Sequence, residues 1–266
     1  MSTADDTFAA ERAPRDRRAT QLFRRIVVVG GGCYGSYYVR QLGRAARAGA
    51  IEWRELVVVD RDPECAVTRL DATARPARLQ VVTSDWDAYF ASYLADATQN
   101  PGARDDAIVP SPLMPHLLAD WLIERARARW PSRAVRTVPL ETAPEVPWQR
   151  IGADGTHYVS FAEWMCPINC IEPARCPETR GPRSWSLPVA LTAYADDARS
   201  AGSLLETPLV FHCAHRAYGV GMIDVRAVVD ADAAIAARGE AGGASFLIGT
   251  VSHCHGALRR MEISDD

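Results

Sequence analysis

Two short runs constrain this chain more than anything else in it. Ile26-Val27-Val28-Val29 leads directly into Gly30, and Leu56-Val57-Val58-Val59 leads directly into Asp60. Four consecutive large apolar residues leave no polar face for water, so each run reads as a strand buried on both sides. Such strands belong to parallel sheets with helices packed over them. A helix is expected from about Ser36 to Ala48, with Tyr38, Val39, Leu42, Ala45 and Ala46 on one face and Gly49 as its stop. Leu79–Thr83 and Ala107–Val109 read as the third and fourth strands. Helices are expected over Asp87–Leu94 and Leu113–Arg129, the second with Leu117, Leu118, Trp121, Leu122 and Ala126 facing inward.

Between the first strand and its helix lies Gly30-Gly31-Gly32-Cys33-Tyr34-Gly35-Ser36, a G-x-G-x-x-G pattern at Gly30, Gly32 and Gly35. The strand before it, the amphipathic helix after it and an acidic residue at the end of the next strand make it a dinucleotide-binding signature. Gly30 permits the tight turn, Gly32 lets a pyrophosphate approach the backbone, and Gly35 lets helix and strand pack closely. The helix N-terminus offers free N–H groups to the phosphates, with Gly31, Cys33 and Tyr34 completing the cradle. Asp60 would accept hydrogen bonds from the adenosine ribose, which favours NAD over NADP, while Arg61 beside it can neutralise a 2′-phosphate. Flavoproteins also open with such a glycine run, so FAD is a further candidate. The expected fold is α/β, a Rossmann-like mainly parallel sheet with helices on both faces.

The glycine loop, Val57-Val58-Val59-Asp60-Arg61-Asp62-Pro63 and Val82-Thr83-Ser84-Asp85 together resemble the NAD-binding domain of the potassium-conductance regulator type (RCK, TrkA-N). The resemblance covers residues 25–130 and implies a place for Asp85 near the adenine, with Ser84 standing where that family has glycine. It does not carry potassium regulation over to this chain.

After Pro131 the texture changes. Asp154-Gly155, inside Ile151–Phe161, marks a hairpin. A Cys- and Pro-rich loop over Cys166–Pro188 follows, and then a C-terminal α/β extension. In that extension Leu209–Cys213 and Ala244–Val251 read as strands, Ile223–Ala237 as a helix and Ala257–Ile263 as a final edge strand. The expected division is a disordered arm at 1–24, a dinucleotide-binding domain at 25–131 and a Cys/His-rich metal-binding region at 132–266.

The Cys-rich loop is the most distinctive stretch. Cys166, Cys170 and Cys176 fall within eleven residues, and Pro167 and Pro177 stiffen the backbone after the first and third. The spacing C-x₃-C-x₅-C matches neither a ferredoxin run nor a zinc ribbon, so a metal centre is expected without its identity: a [4Fe–4S] cluster or zinc. Cys254 or Cys213 would be the fourth ligand, or else His253 or His255. These residues lie in His212-Cys213-Ala214-His215 and Ser252-His253-Cys254-His255, each at the carboxyl end of an expected strand. If both strands join the sheet, their tips face the glycine loop. Glu172, Arg175, Arg180 and Arg183 surround the cluster, and a guanidinium would favour thiolate. Cys33, at a helix N-terminus, and His116, after the fourth strand, are the candidates for catalysis at the nicotinamide.

All 30 basic residues are Arg, so lysine Schiff-base chemistry and a lysine-dependent phosphate loop are excluded. A net charge of −3 argues against a nucleic-acid surface, and no apolar run approaches the roughly 20 residues a membrane helix needs. With no secretion signal, clustered Cys point to a cytoplasmic metal or redox role. The sequence therefore reads as an NAD(P)-binding redox protein, leaning to an oxidoreductase, with an iron–sulfur centre beside the dinucleotide. The alternatives are an NAD- and metal-responsive sensor, an NAD-dependent enzyme with purely structural zinc, and, more remotely, a methyltransferase. A redox or regulatory partner protein and a homo-oligomer are compatible with each.

Overall fold

The structure, a computed structural model, describes residues 20–140, 144–162 and 166–265. The arm expected at 1–24 lies outside the described residues up to 19, and Gln21–Arg24 are already strand.

The first sheet starts with β1 (Gln21–Val29), β2 (Ile51–Asp60), β3 (Leu79–Thr83) and β4 (Ala107–Val109). They run parallel in the order β3-β2-β1-β4. Two later strands, β9 (Ala214–Ala217) and β10 (Val220–Asp224), extend the sheet beyond β4 in antiparallel fashion. The second sheet takes β5 (Val135–Val138), β6 (Trp148–Ile151), β7 (His157–Ser160), β8 (Leu209–His212), β11 (Ala244–Val251) and β12 (His255–Ile263). Its order is β6-β7-β12-β11-β8, with β5 also pairing β12; only β8 and β11 are parallel. The fold is thus mixed α/β with two mixed sheets.

Among the described residues five α-helices cover these sheets: α1 (Cys33–Arg47), α2 (Trp86–Gln99), α3 (Leu117–Arg129), α4 (Leu187–Ser200) and α5 (Val225–Glu240). Alternation along the strands sorts them into layers. Ile26, Val28, Leu56 and Val58 bury against Val39, Leu42 and Ala45 of α1. The intervening Val27, Val29, Val57 and Val59 face α2, α3 and α5 on the other side. Phe246, Ile248 and Met261 of the second sheet close the same core from below. Leu247, Val251 and Leu258 point the opposite way, onto Leu187, Leu191 and Ala195 of α4. The stack is helix, sheet, helices, sheet, helix.

Several expectations are corrected. The two ligand-bearing strands do not join the first sheet: β8 and β11 lie together in the second, and the chain crosses to the first at Cys213. There Tyr218 (φ 49°) and Gly219 (φ 79°) make a two-residue turn with both φ positive, the hairpin geometry that matches strand twist. Ile223 is accordingly strand rather than helix. Residues 257–263 are no edge, because β12 has β11 on one side and β7 and β5 on the other. The Cys-rich loop ends in a helix, α4, that was not anticipated; Pro188 occupies its first turn, where the missing N–H costs nothing. Helix α3 starts at Leu117 rather than Leu113, since Pro112 and Pro115 break the first turn and leave Leu113 exposed.

Candidate functional site

The carboxyl ends of β1, β2, β3 and β4 form one edge of the first sheet, and the glycine loop sits on it. Gly30 adopts φ +86°, and its N–H donates to the Val59 carbonyl at 2.9 Å, tying the loop to β2. A Cβ on Gly35 would lie 1.8 Å from the Gly30 carbonyl oxygen, so only glycine allows this approach of helix to strand. Gly32, by contrast, has nothing within 4 Å of where its Cβ would be. It caps α1 without any side-chain hydrogen bond, and the first turn carries no acidic residue, so the helix start is free for an anion. The Asp60 carboxylate accepts from Gly31 N–H at 2.6 Å and from Asp62 N–H at 2.9 Å, which fixes it at the lip of the loop. Trp86 closes the far side: its indole N–H donates to the Val59 carbonyl at 2.9 Å and its ring lies against Gly30. Arg61, Asp85 and Cys33 are exposed around this lip.

The cysteine loop is held by its own backbone and by three pegs to the β11–β12 turn. Cys170 N–H donates to the Pro167 carbonyl at 2.8 Å. Further along, Cys176 N–H to Gly181 and Arg183 N–H to Ala174 fold 174–183 into a tight hairpin. Cys176 and Arg183 are buried by that hairpin, whereas Arg175 and Arg180 are exposed. Glu172, at φ 50°, turns its carboxylate inward to accept from His253 N–H at 3.0 Å. Trp185 donates its indole N–H to Cys254 Sγ at 3.4 Å and stacks on Phe161. The Ser186 hydroxyl meets His253 Nδ1 at 3.2 Å.

Electrostatics separate the thiols. Cys170 is lowered to about 6, first by a hydrogen bond from the Cys166 thiol, against burial, and with help from Glu172 N–H and Arg183. Cys166 is pushed up by that same bond, by burial and by the neighbouring Cys170, Cys254 and Cys176. Burial pushes Cys254 and Cys213 up to about 12. Burial alone would raise Glu172, yet His215, His253 and the Ser252 hydroxyl hold it below the usual carboxylate range. His215 and His255 are lowered by burial. His215 Nδ1 lies 3.9 Å from the Glu172 carboxylate, whose charge opposes that lowering.

These two constructions meet. A cavity of about 160 Å³ has Tyr34, Tyr38 and Pro110–Pro112 on one wall and Cys166, Cys170, Cys213 and Cys254 on the other, with Glu172, His215, Thr250 and His255 between them. Of the expected site residues it takes in Tyr34, Cys166, Cys170, Cys213, Cys254 and His255. Cys176 and His253 stand behind it, the latter engaged by Ser186. Tyr38, Glu172, His215 and Thr250 were not singled out as cavity residues, although Glu172 and His215 sit inside motifs that were. His116 is elsewhere, with Asp120 at 3.7 Å and Asp154 at 4.0 Å and no place on the cavity wall. Among the described residues no three His, Cys, Asp or Glu side chains are arranged to hold a metal ion as they stand. No helix is long and apolar enough to cross a membrane among them.

Comparison with family models finds a match for the second half of the chain. The family described as AF_1314_C, uncharacterized protein, C-terminal domain, matches residues 118–264. That span holds the whole cysteine loop and both His-Cys strand ends, and it leaves the glycine loop outside. No curated protein and no solved structure matches the chain.

Proposed function

We propose that this chain, which belongs to that family, is an NAD(P)-binding redox protein with a thiolate-held metal centre beside its nucleotide site. The observation that carries the reading is the shared cavity, walled on one side by Tyr34 and Tyr38 at the glycine-loop edge and on the other by four cysteines, Cys166, Cys170, Cys213 and Cys254. The parallel order β3-β2-β1-β4 supports a Rossmann-like first half, since β1 has β2 on one side and β4 on the other, the position where dinucleotides lie at carboxyl strand ends.

The residues fit a dinucleotide. Gly32 leaves room for a phosphate at an uncapped helix start, and Asp60 keeps lone pairs for ribose hydroxyls after accepting its two backbone bonds. Tyr34 and Pro110–Pro112 would border the nicotinamide end and exclude water from it. The chemistry of the donor set fits a thiolate-held centre formed by Cys166, Cys170, Cys176 and Cys254. Cys166 feels the other three, Cys170 is already acidic, and N–H groups of Glu172 and Trp185 point at sulfur. Such N–H···S bonds and the nearby Arg183 would offset the negative charge of a thiolate-held centre, read here as an iron–sulfur cluster with zinc as the alternative. When bound, such a centre would supply one-electron chemistry next to the two-electron nicotinamide. In the chain itself, Glu172 orients the β11–β12 turn, and Trp185 keeps Cys254 facing the loop.

The test is metal and acid-labile sulfide analysis on protein purified without oxygen, with a visible spectrum and a titration of NAD⁺ against NADP⁺. Iron, sulfide and a broad visible band, with NAD⁺ binding, are expected. Metal-free protein with every thiol titratable would remove the centre, and absence of nucleotide binding would remove the other half of the proposal.

A further inference from the structure

We propose that the cavity is a pocket for the nicotinamide ring, and that the Thr250 hydroxyl binds its carboxamide. The inference rests on the dinucleotide reading above and deepens it by assigning a specificity residue from the other sheet. Thr250 lines the cavity near the end of β11, where it pairs with Phe211 of β8 and Ala257 of β12. A residue in a strand flanked on both sides is held in place by the sheet. Its side chain is nine-tenths buried, and its hydroxyl has no hydrogen-bond partner. A buried hydroxyl left in that state is costly, which marks it as a group that awaits a partner.

Size and charge select the ligand. An apolar protein cavity of about 150 Å³ accepts one benzene ring, and this cavity of about 160 Å³ accepts one ring of that kind. Tyr34 and Tyr38 supply flat walls, and Tyr34 belongs to the glycine loop itself, so a ring here stays within reach of a pyrophosphate on that loop. Glu172 also lines the cavity, with its side chain 8% exposed, and its carboxylate disfavours a second anion. A neutral amide on a cationic ring meets both conditions. It offers a donor and an acceptor to a hydroxyl and brings no negative charge.

The experiment compares three ligands by isothermal titration on the full chain: NAD⁺, ADP-ribose, which lacks the ring, and nicotinic acid adenine dinucleotide, which replaces the amide by a carboxylate. Wild-type protein should bind NAD⁺ more tightly than either. Thr250→Val, which keeps the shape and removes the hydroxyl, should weaken NAD⁺ about tenfold and leave ADP-ribose within about twofold. Thr250→Ser should keep NAD⁺ affinity near wild type. If Thr250→Val binds NAD⁺ as wild type does, or weakens both ligands alike, the assignment of Thr250 is overturned. So it is if ADP-ribose binds wild type as tightly as NAD⁺. Wild type that binds neither ligand removes the dinucleotide reading itself, an outcome separate from all of these.

Discussion

The two walls of the cavity are built in opposite ways. The glycine wall is largely local: a strand, the three loop residues Gly30–Gly32 and a helix, tied mainly through backbone, with the Asp60 carboxylate and the Trp86 ring added from the neighbouring elements. The sulfur wall is assembled across distance. It joins residues 166–186 to the turn at 252–255 through side chains, namely Glu172 on His253, Trp185 on Cys254 and Ser186 on His253. A backbone-made wall fails only where a side chain is added. A wall of pegs fails where one is removed.

The largest expected effect breaks the glycine wall at one position and spares it at the next. Gly35→Ala puts a methyl group 1.8 Å from the Gly30 carbonyl, so β1 and α1 must separate. A loss of about 3 kcal/mol, or a fall in Tm of about 6–12 °C, is expected by thermal unfolding. Gly32→Ala meets open space and should stay within about 1 kcal/mol of the parent, yet it should abolish dinucleotide binding by filling the phosphate approach. Equal loss of stability in both variants would mean that the loop is not the cradle described.

That asymmetry also explains what the sequence revealed. The first four strands, their parallel direction and the glycine loop follow from short apolar runs and from glycines whose requirement is local. The hairpin around Asp154-Gly155 was legible for the same reason. The second sheet was not, because Cys213 carries the chain from one sheet to the other and no local pattern announces a change of partner. Helix α4 was hidden by Pro188, which reads equally as the end of a loop or the start of a helix. Convergence of Cys166, Cys170 and Cys176 with Cys254 or Cys213 at the glycine edge was expected from ligand-type residues at strand ends; Cys166, Cys170, Cys213 and Cys254 line the cavity with Tyr34, Cys176 does not, and the sheet expected to carry the strand ends was the wrong one. Glu172 was noted only as a charge near the cluster. Its role as a peg depends on a positive φ and on a partner 81 residues away, neither of which is visible in a string of residues.

A smaller effect sharpens the contrast on the sulfur side. In metal-free protein at pH 7, Cys170 is largely thiolate, whereas Cys254 and Cys213 stay protonated. Brief iodoacetamide treatment followed by peptide mass mapping should label Cys170 before those two, by on the order of a hundredfold in rate. Glu172→Ala leaves the buried His253 N–H unmatched, at about 1–3 kcal/mol, and should raise the labelling of Cys254 as the turn loosens. Affinity for ADP-ribose, which lacks the ring that Glu172 faces, should move much less than the labelling does. If it falls in parallel, the two walls are one cooperative unit and the comparison fails.

The smallest effect lies outside both walls and serves as their control. Burial alone would raise Asp154, but hydrogen bonds from the Thr156 hydroxyl and N–H, and from Arg259, hold it at about 2. Arg259 also pairs with Asp120, so this carboxylate helps tie the β6–β7 turn to β12 and, through Arg259, to α3. A carboxyl whose folded value is depressed stabilises the fold above its unfolded value near 4, and that contribution is lost as pH falls from about 4 to about 2. Stability measured by denaturant across that window should therefore drop in wild type and drop less in Asp154→Asn. The side chain is partly open to solvent, so the difference should be small and should shrink further at high salt. At neutral pH, Asp154→Asn should leave both NAD⁺ affinity and Cys170 labelling unchanged. A change in either would mean that the turn on β12 communicates with the cavity, and the independence of the two walls would have to be sought in a smaller part of the molecule.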